Sequence, residues 1–131
     1  MLYEEKKALS SVRIEHAEEC MEAAKSLLSS GNYKSAANRA YYTVFHAMRA
    51  VLAYDEIDMK KHSGLIAEFR RMYIKTGVFS NEMSRIISAL FDLRTESDYD
   101  DFFIISREDV TEQLGNAQFF LDSIKEYLIS K

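Results

Sequence analysis

Residues 31–52 read GNYKSAANRAYYTVFHAMRAVL, and this stretch decides the fold. Ala37, Ala40/Tyr41, Val44, Met48 and Val51 recur at steps of three and four. That spacing puts side chains on one face of an α-helix. Arg39, Tyr42, His46 and Arg49 recur at steps of 3, 4 and 3 and share another face. The first face predicts a buried stripe. The second lacks lysine and glutamate, the usual solvating residues, and combines arginine with tyrosine, which are enriched where proteins meet partners. It predicts a subunit interface, a ligand cleft or both, with plain surface as the bland alternative. Its expected counterpart is the segment Arg94 to Tyr99.

Working outward, a first helix is expected from about residue 3 to about residue 30. Leu9, Val12/Arg13, His16/Ala17, Cys20, Ala24 and Leu27 form its stripe, and glutamates fill the remainder. Gly31 suits a left-handed C-terminal position and Asn32 suits the cap of the next helix. The first two helices are therefore expected to form an antiparallel hairpin. The second helix should run to about Tyr54, followed by a loop through Asp58. Lys60-Lys61-His62-Ser63-Gly64 leads into a third helix on Leu65, Ile66, Phe69, Met72 and Tyr73, ended by Gly77. Ser80 can cap a fourth, with Met83, Ile86/Ile87 and Leu90 as its stripe. TESDYDDFFIIS, residues 95–106, shows no helical period and reads as a loop. Ser106 with Asp109 resembles a capping box. Val110, Leu114, Ala117, Leu121, Ile124 and Leu128 then follow at steps of 4, 3, 4, 3 and 4, and Gly115 lies off that stripe, where it would allow close helix approach.

The totals agree with this reading. The chain has 131 residues, no proline and four glycines, so long helices are the default. One domain spanning residues 1–131 is expected, an all-α, up-and-down bundle of four to five helices. A single cysteine, Cys20, excludes a disulfide framework. No apolar run is long enough to span a bilayer, and MLYEEKKALS is too acidic for a signal peptide, so a cytoplasmic location is expected. The net charge of −4 argues against non-specific coating of nucleic acid but not against a small basic pocket.

Arg94 is the sharpest local anomaly. It continues the line of Met83, Ile87 and Leu90, so its guanidinium should point inward or into a cleft, where it needs a partner. Asp98 is the first candidate and Glu96 the second. The pair would pin a loop to the bundle, or the arginine would bind an anion or phosphate. His16, His46 and His62 lack metal-ligand spacing, and no metal or cofactor is expected. His62, after Lys60-Lys61, makes a small basic knob near a helix start. Asp98, Asp100 and Asp101 read as solvated loop acids.

Three segments together carry a family resemblance: residues 36–47 (AANRAYYTVFHA), Lys61-His62-Ser63-Gly64, and Arg94-Thr95-Glu96-Ser97-Asp98-Tyr99. With the helix order, the chain resembles the HEPN domains over nearly its whole length. The resemblance implies a bundle that forms a homodimer, with the arginine segments lining a cleft at or near the interface. It also implies partnership with a minimal nucleotidyltransferase in a toxin–antitoxin-like module. Many such proteins are metal-independent ribonuclease toxins, whose signature is an arginine, four to six residues, then a histidine. Here the positions after Arg94 are Tyr99, Asp100 and Asp101, and the pattern is an Arg-x-x-x-Asp-Tyr variant. RNA cleavage through its own 2′-hydroxyl needs a group that titrates near neutrality, and Asp98 beside an arginine suits a charged anchor better.

The expected function is therefore a nucleotide- or RNA-binding regulatory partner of a nucleotidyltransferase. Its ligand residues would be Arg39, Tyr42, His46, Arg49, Arg94, Asp98 and Tyr99. The alternative is a ribonuclease toxin in which His46 or Tyr99 replaces the missing histidine beside Arg94.

Overall fold

The computed structural model describes residues 1–131 and contains five α-helices and no strand. These are α1 (Tyr3–Ser29), α2 (Tyr33–Leu52), α3 (His62–Phe69), α4 (Asn81–Tyr99) and α5 (Arg107–Ile129). A 3₁₀ turn, Ala53–Asp55, extends α2, and a π-helical turn, Arg70–Ile74, extends α3. No helix is long and apolar enough to cross a membrane.

α2 is the centre of the bundle. Twelve of its twenty residues are buried, more than a single amphipathic stripe provides, because α1, α3, α4 and α5 all pack on it. Ala37, Ala40, Tyr41, Val44, Met48 and Val51 are fully buried, as the spacing predicts. Small residues at Ala36, Ala37, Ala40 and Ala47 allow neighbouring backbones close, while Phe69, Phe120 and Leu121 fill the space around them. In α5 the regular stripe is inside from Val110 to Ile124, and Leu128 is half-buried at the end.

Helix ends follow the sequence in some places and depart from it in others. Gly31 and Gly77 adopt φ values of +81° and +83°, which glycine takes without steric cost, so both helix-ending expectations hold. Ser106 accepts a hydrogen bond from the Asp109 amide at 3.0 Å, the first half of the expected capping box. Asn32 does not cap α2: its amide donates instead to Ser30 Oγ at 2.8 Å. Gly115 is not a close-approach site, since a Cβ there would meet nothing within 4 Å.

The main correction concerns residues 95–99. They do not form a loop: α4 continues through them to Tyr99. Two polar devices hold this last turn where apolar residues give out: Arg94 pairs with Asp98 at i,i+4, and Thr95 Oγ1 donates to the Phe91 carbonyl at 2.8 Å. Ser97 is buried there with its hydroxyl unpaired. Arg94 is therefore rooted inside a helix.

Candidate functional site

The polar face of α2 is not plain surface. Arg39, Tyr42, His46 and Arg49 are all half-buried. Arg94 comes across from α4 to meet this face at Tyr42. Its Nη2 donates to the Tyr42 hydroxyl at 3.3 Å, and its Cζ lies 5.6 Å from the Tyr42 ring centre and 5.4 Å from that of Tyr41. Arg39 also places its Cζ 4.9 Å from the Tyr42 ring centre. Tyr42 thus has two guanidinium groups within cation–π reach, an arrangement favourable to its π-system.

Each arginine is aimed by a neighbour. Arg94 Nε lies 3.0 Å from Asp98 Oδ2, an ion pair by distance. The Nε–H does not align on that oxygen, leaving Nε buried without a true hydrogen bond. Arg39 donates through Nε and Nη2 to Asn38 Oδ1 at 3.1 and 2.7 Å, and its Nη1 lies 3.8 Å from Cys20 Sγ. Neither guanidinium is spent on a bidentate carboxylate pair, the geometry that would satisfy an arginine fully.

Two hollows flank Tyr42 along α2. The first is lined by Lys34, Asn38, Arg39 and Asp98, among others. The second is lined by Phe45, Arg49, Asp58, Met59, Lys60 and His62. Lys34, Arg39, Arg94, Arg49 and Lys60 set five cations against the two carboxylates Asp98 and Asp58, a local excess of three on a chain whose net charge is −4. Such a strip raises the local concentration of anions.

Not every expected residue joins. Tyr99, on the last turn of α4, is 77 % exposed and contacts none of the cluster's rings. His46 touches the cluster only at its edge: its ring lies 6.1 Å from that of Tyr42, while its Nδ1 is 3.4 Å from Arg49 Nη1 and its ring meets His16 edge-on at 5.6 Å. Burial first, then the charges of Arg49, His16, Arg39 and Arg13, bring its pKa down to about 4. His46 is thus held neutral beside Arg49 and makes no contact with Arg94.

The histidine that does share Arg94's surroundings is His62. It is not the solvated knob its lysine neighbours suggest. Its ring packs on Phe45 at 4.1 Å and on Tyr41 and Tyr42 at 5.7 Å each, and its Nδ1 is 2.9 Å from the Tyr41 hydroxyl. Burial first, and then Arg94, lower its pKa. Burial also pushes the Tyr41 phenol up to about 12, with Arg94 opposing. One signal for this contact is in the sequence: a tyrosine inside an apolar stripe needs a partner for its hydroxyl.

At the C-terminal end of α2, Arg13 reaches in from α1. Its Nη1 donates to the Arg49 carbonyl at 2.9 Å and its Nη2 to Asp58 at 3.3 Å. Asp58 also receives Arg49 Nη2 at 3.2 Å. Burial opposes the Asp58 charge, but hydrogen bonding to Arg49 and the charges of Arg49 and Arg13 outweigh it and hold the carboxyl below its ordinary value.

Comparison with known proteins places this geometry in context. A family model described as "HEPN domain" matches residues 10–127. Over 118 residues the chain is 37% identical to a Methanocaldococcus jannaschii protein named "Putative toxin MJ0142", covering 90% of this chain and 80% of that one. A protein of Thermotoga maritima named "UPF0332 protein" is 34% identical over 112 residues, covering 86% and 85% of the two chains. The solved structure described as ST0689, an archaeal HEPN homologue, matches with a TM-score of 0.70 over 91% of this chain and 97% of its own. At 19% identity that last likeness speaks to the fold alone.

Proposed function

From the premise that the chain belongs to the HEPN domain family, we propose that it is a nucleotide- or RNA-binding protein of toxin–antitoxin type. It acts as a homodimer and pairs with a minimal nucleotidyltransferase. The observation that carries the reading is the meeting of Arg94 with Tyr42 and Arg39. Two cations on one tyrosine, flanked by basic hollows, suit a phosphate with a stacked base. The toxin name of a relative supports it. Three large apolar side chains beyond the site, Tyr99, Phe102 and Ile104, are 77 %, 92 % and 89 % exposed, which suits a surface that a second copy covers.

The test combines sedimentation with RNA binding. The wild type should sediment as a dimer at micromolar concentration. A charge-assisted hydrogen bond is worth about 1.5–3 kcal/mol. Arg94→Ala should therefore weaken binding of a short single-stranded RNA roughly 10- to 100-fold. Arg39→Glu should weaken it further by opposing the phosphate. A monomer whose two variants bind like the wild type would sink the proposal.

A second reading, that the bound RNA is also cut, is favoured by one observation. His62 shares two tyrosine rings with Arg94.

A further inference from the structure

His62 is the first residue of α3, and most histidines set among aromatic rings are simply packed there. Three features separate this one. Its orientation is fixed by the 2.9 Å contact between Nδ1 and the Tyr41 hydroxyl, and Tyr41 is itself fully buried. Its Nε2 engages no protein atom and is not among the atoms sealed from solvent without a partner. The ring lines the hollow that also holds Arg49, Asp58 and Lys60. A held ring that lines a basic hollow and keeps one nitrogen free of hydrogen bonds is the form a proton carrier needs.

We infer that His62 moves the proton when RNA is cut at this site, with Tyr41 positioning it and Arg94 holding the reacting phosphate. The inference rests on the reading that RNA binds at the Arg94 cleft and is cleaved there. It assigns the missing histidine's work to a residue that precedes Arg94 by 32 positions in the chain (94 − 62) and reaches it only through the fold.

The chemistry balances without an outside reagent. The step uses the tautomer protonated at Nδ1: there Nδ1–H donates to the Tyr41 oxygen and Nε2 is the free base. Nε2 takes the proton of a ribose 2′-hydroxyl, and the 2′-oxygen forms a bond to the adjacent phosphorus. The bond from phosphorus to the 5′-oxygen breaks, and the imidazolium returns its proton to that oxygen. The products are a 2′,3′-cyclic phosphate and a 5′-hydroxyl end. Arg94 meets the charge that builds on the non-bridging oxygens. Burial first, and then the charge of Arg94, favour the basic form of His62 at rest. Tyr41, Tyr42 and Arg49 face it from α2, Arg94 from α4, and Asp58 and Lys60 from the loop before α3.

The experiment uses the full chain and an RNA oligomer labelled at its 5′ end, in the presence of a metal chelator. Wild type should leave cyclic-phosphate ends, with a rate that rises with pH across the acidic range. Loss of a general acid–base group costs on the order of 10²–10⁴-fold in rate. His62→Gln should show that loss while keeping its affinity for a non-cleavable 2′-deoxy oligomer, and His16→Gln should cleave normally. Tyr41→Phe should shift the pH profile, a change that a purely structural tyrosine would not produce. A second measurement guards against misfolding of a variant. In wild-type protein the imidazole resonances of His62 should titrate at higher pH when 3′-uridylate is added, since a phosphate dianion favours the imidazolium. If His62→Gln cleaves at the wild-type rate, or 3′-uridylate leaves the His62 titration unmoved, the inference is overturned while RNA cleavage at Arg94 stands. If the wild type binds RNA but leaves it intact, the cleavage reading itself fails, and this role for His62 with it.

Discussion

Around His46 the charges are arranged against protonation. Its folded pKa of about 4 lies below the ordinary 6.5, so between those values the unfolded chain binds the proton and the folded chain does not. Stability from this group is therefore fully present above about pH 6.5 and is lost as pH falls toward about 4. Each pKa unit corresponds to about 1.4 kcal/mol. The partial exposure of the ring keeps the whole effect to about 2 kcal/mol. His46→Gln removes it, so urea midpoints measured near pH 7 and near pH 4.5 should lie closer together in the variant than in the wild type. Midpoints that separate equally would show that the ring is solvated. The same residue shows where sequence reasoning about the site stops. Helical spacing places His46 on the face of Arg39 and Tyr42, and it is on that face. Spacing along one helix cannot tell which turn an arginine from another helix will touch, and Arg94 meets the turn of Tyr42, not that of His46.

At the scale of elements, Arg13 ties three pieces together: α1, the last turn of α2 and the loop carrying Asp58. Arg13→Leu keeps the bulk but leaves the Arg49 carbonyl without this donor and Asp58 with one arginine instead of two. The expected cost is roughly 2–3 kcal/mol in denaturant unfolding, from the unmet polar groups. A loss near zero would mean that water replaces the guanidinium. The helices themselves were readable wherever apolar residues keep period, as in α5 and the buried stripe of α2. The stretch 95–99 was not, because its last turn is held by an ion pair and a threonine back-bond. Neither registers as hydrophobic period. His62 was hidden for a related reason: its lysine neighbours signal a wet position, while the rings that receive it, Tyr41 and Phe45, belong to another helix.

For the whole molecule, the net charge of −4 coexists with a local excess of three cations along α2. Binding of single-stranded RNA through that strip should release few counterions. With about three phosphates neutralised, the slope of log K against log salt should be about −2 for a single strand. Titrations across a range of potassium chloride concentrations measure it directly. A slope several times steeper would mean that the contact spreads beyond the strip, and a flat one that phosphate is not what is held. The negative remainder of the surface should meanwhile keep duplex DNA away, because a broad basic face is what non-specific binding requires.

Cys20 gives this architecture a clock. It is the chain's sole thiol, buried where α1 lies on α2, with Arg39 Nη1 at 3.8 Å from its sulfur. Burial raises its pKa, and Arg39 pulls the other way. With 8 % of its surface exposed, the thiol meets a reagent chiefly when α1 lifts away, so the labelling rate follows those openings without any introduced probe. A ligand that draws the Arg39 guanidinium toward itself also strips the thiolate of its nearest cation and slows the reaction. The one cysteine thus doubles as an occupancy gauge for a cleft it does not line.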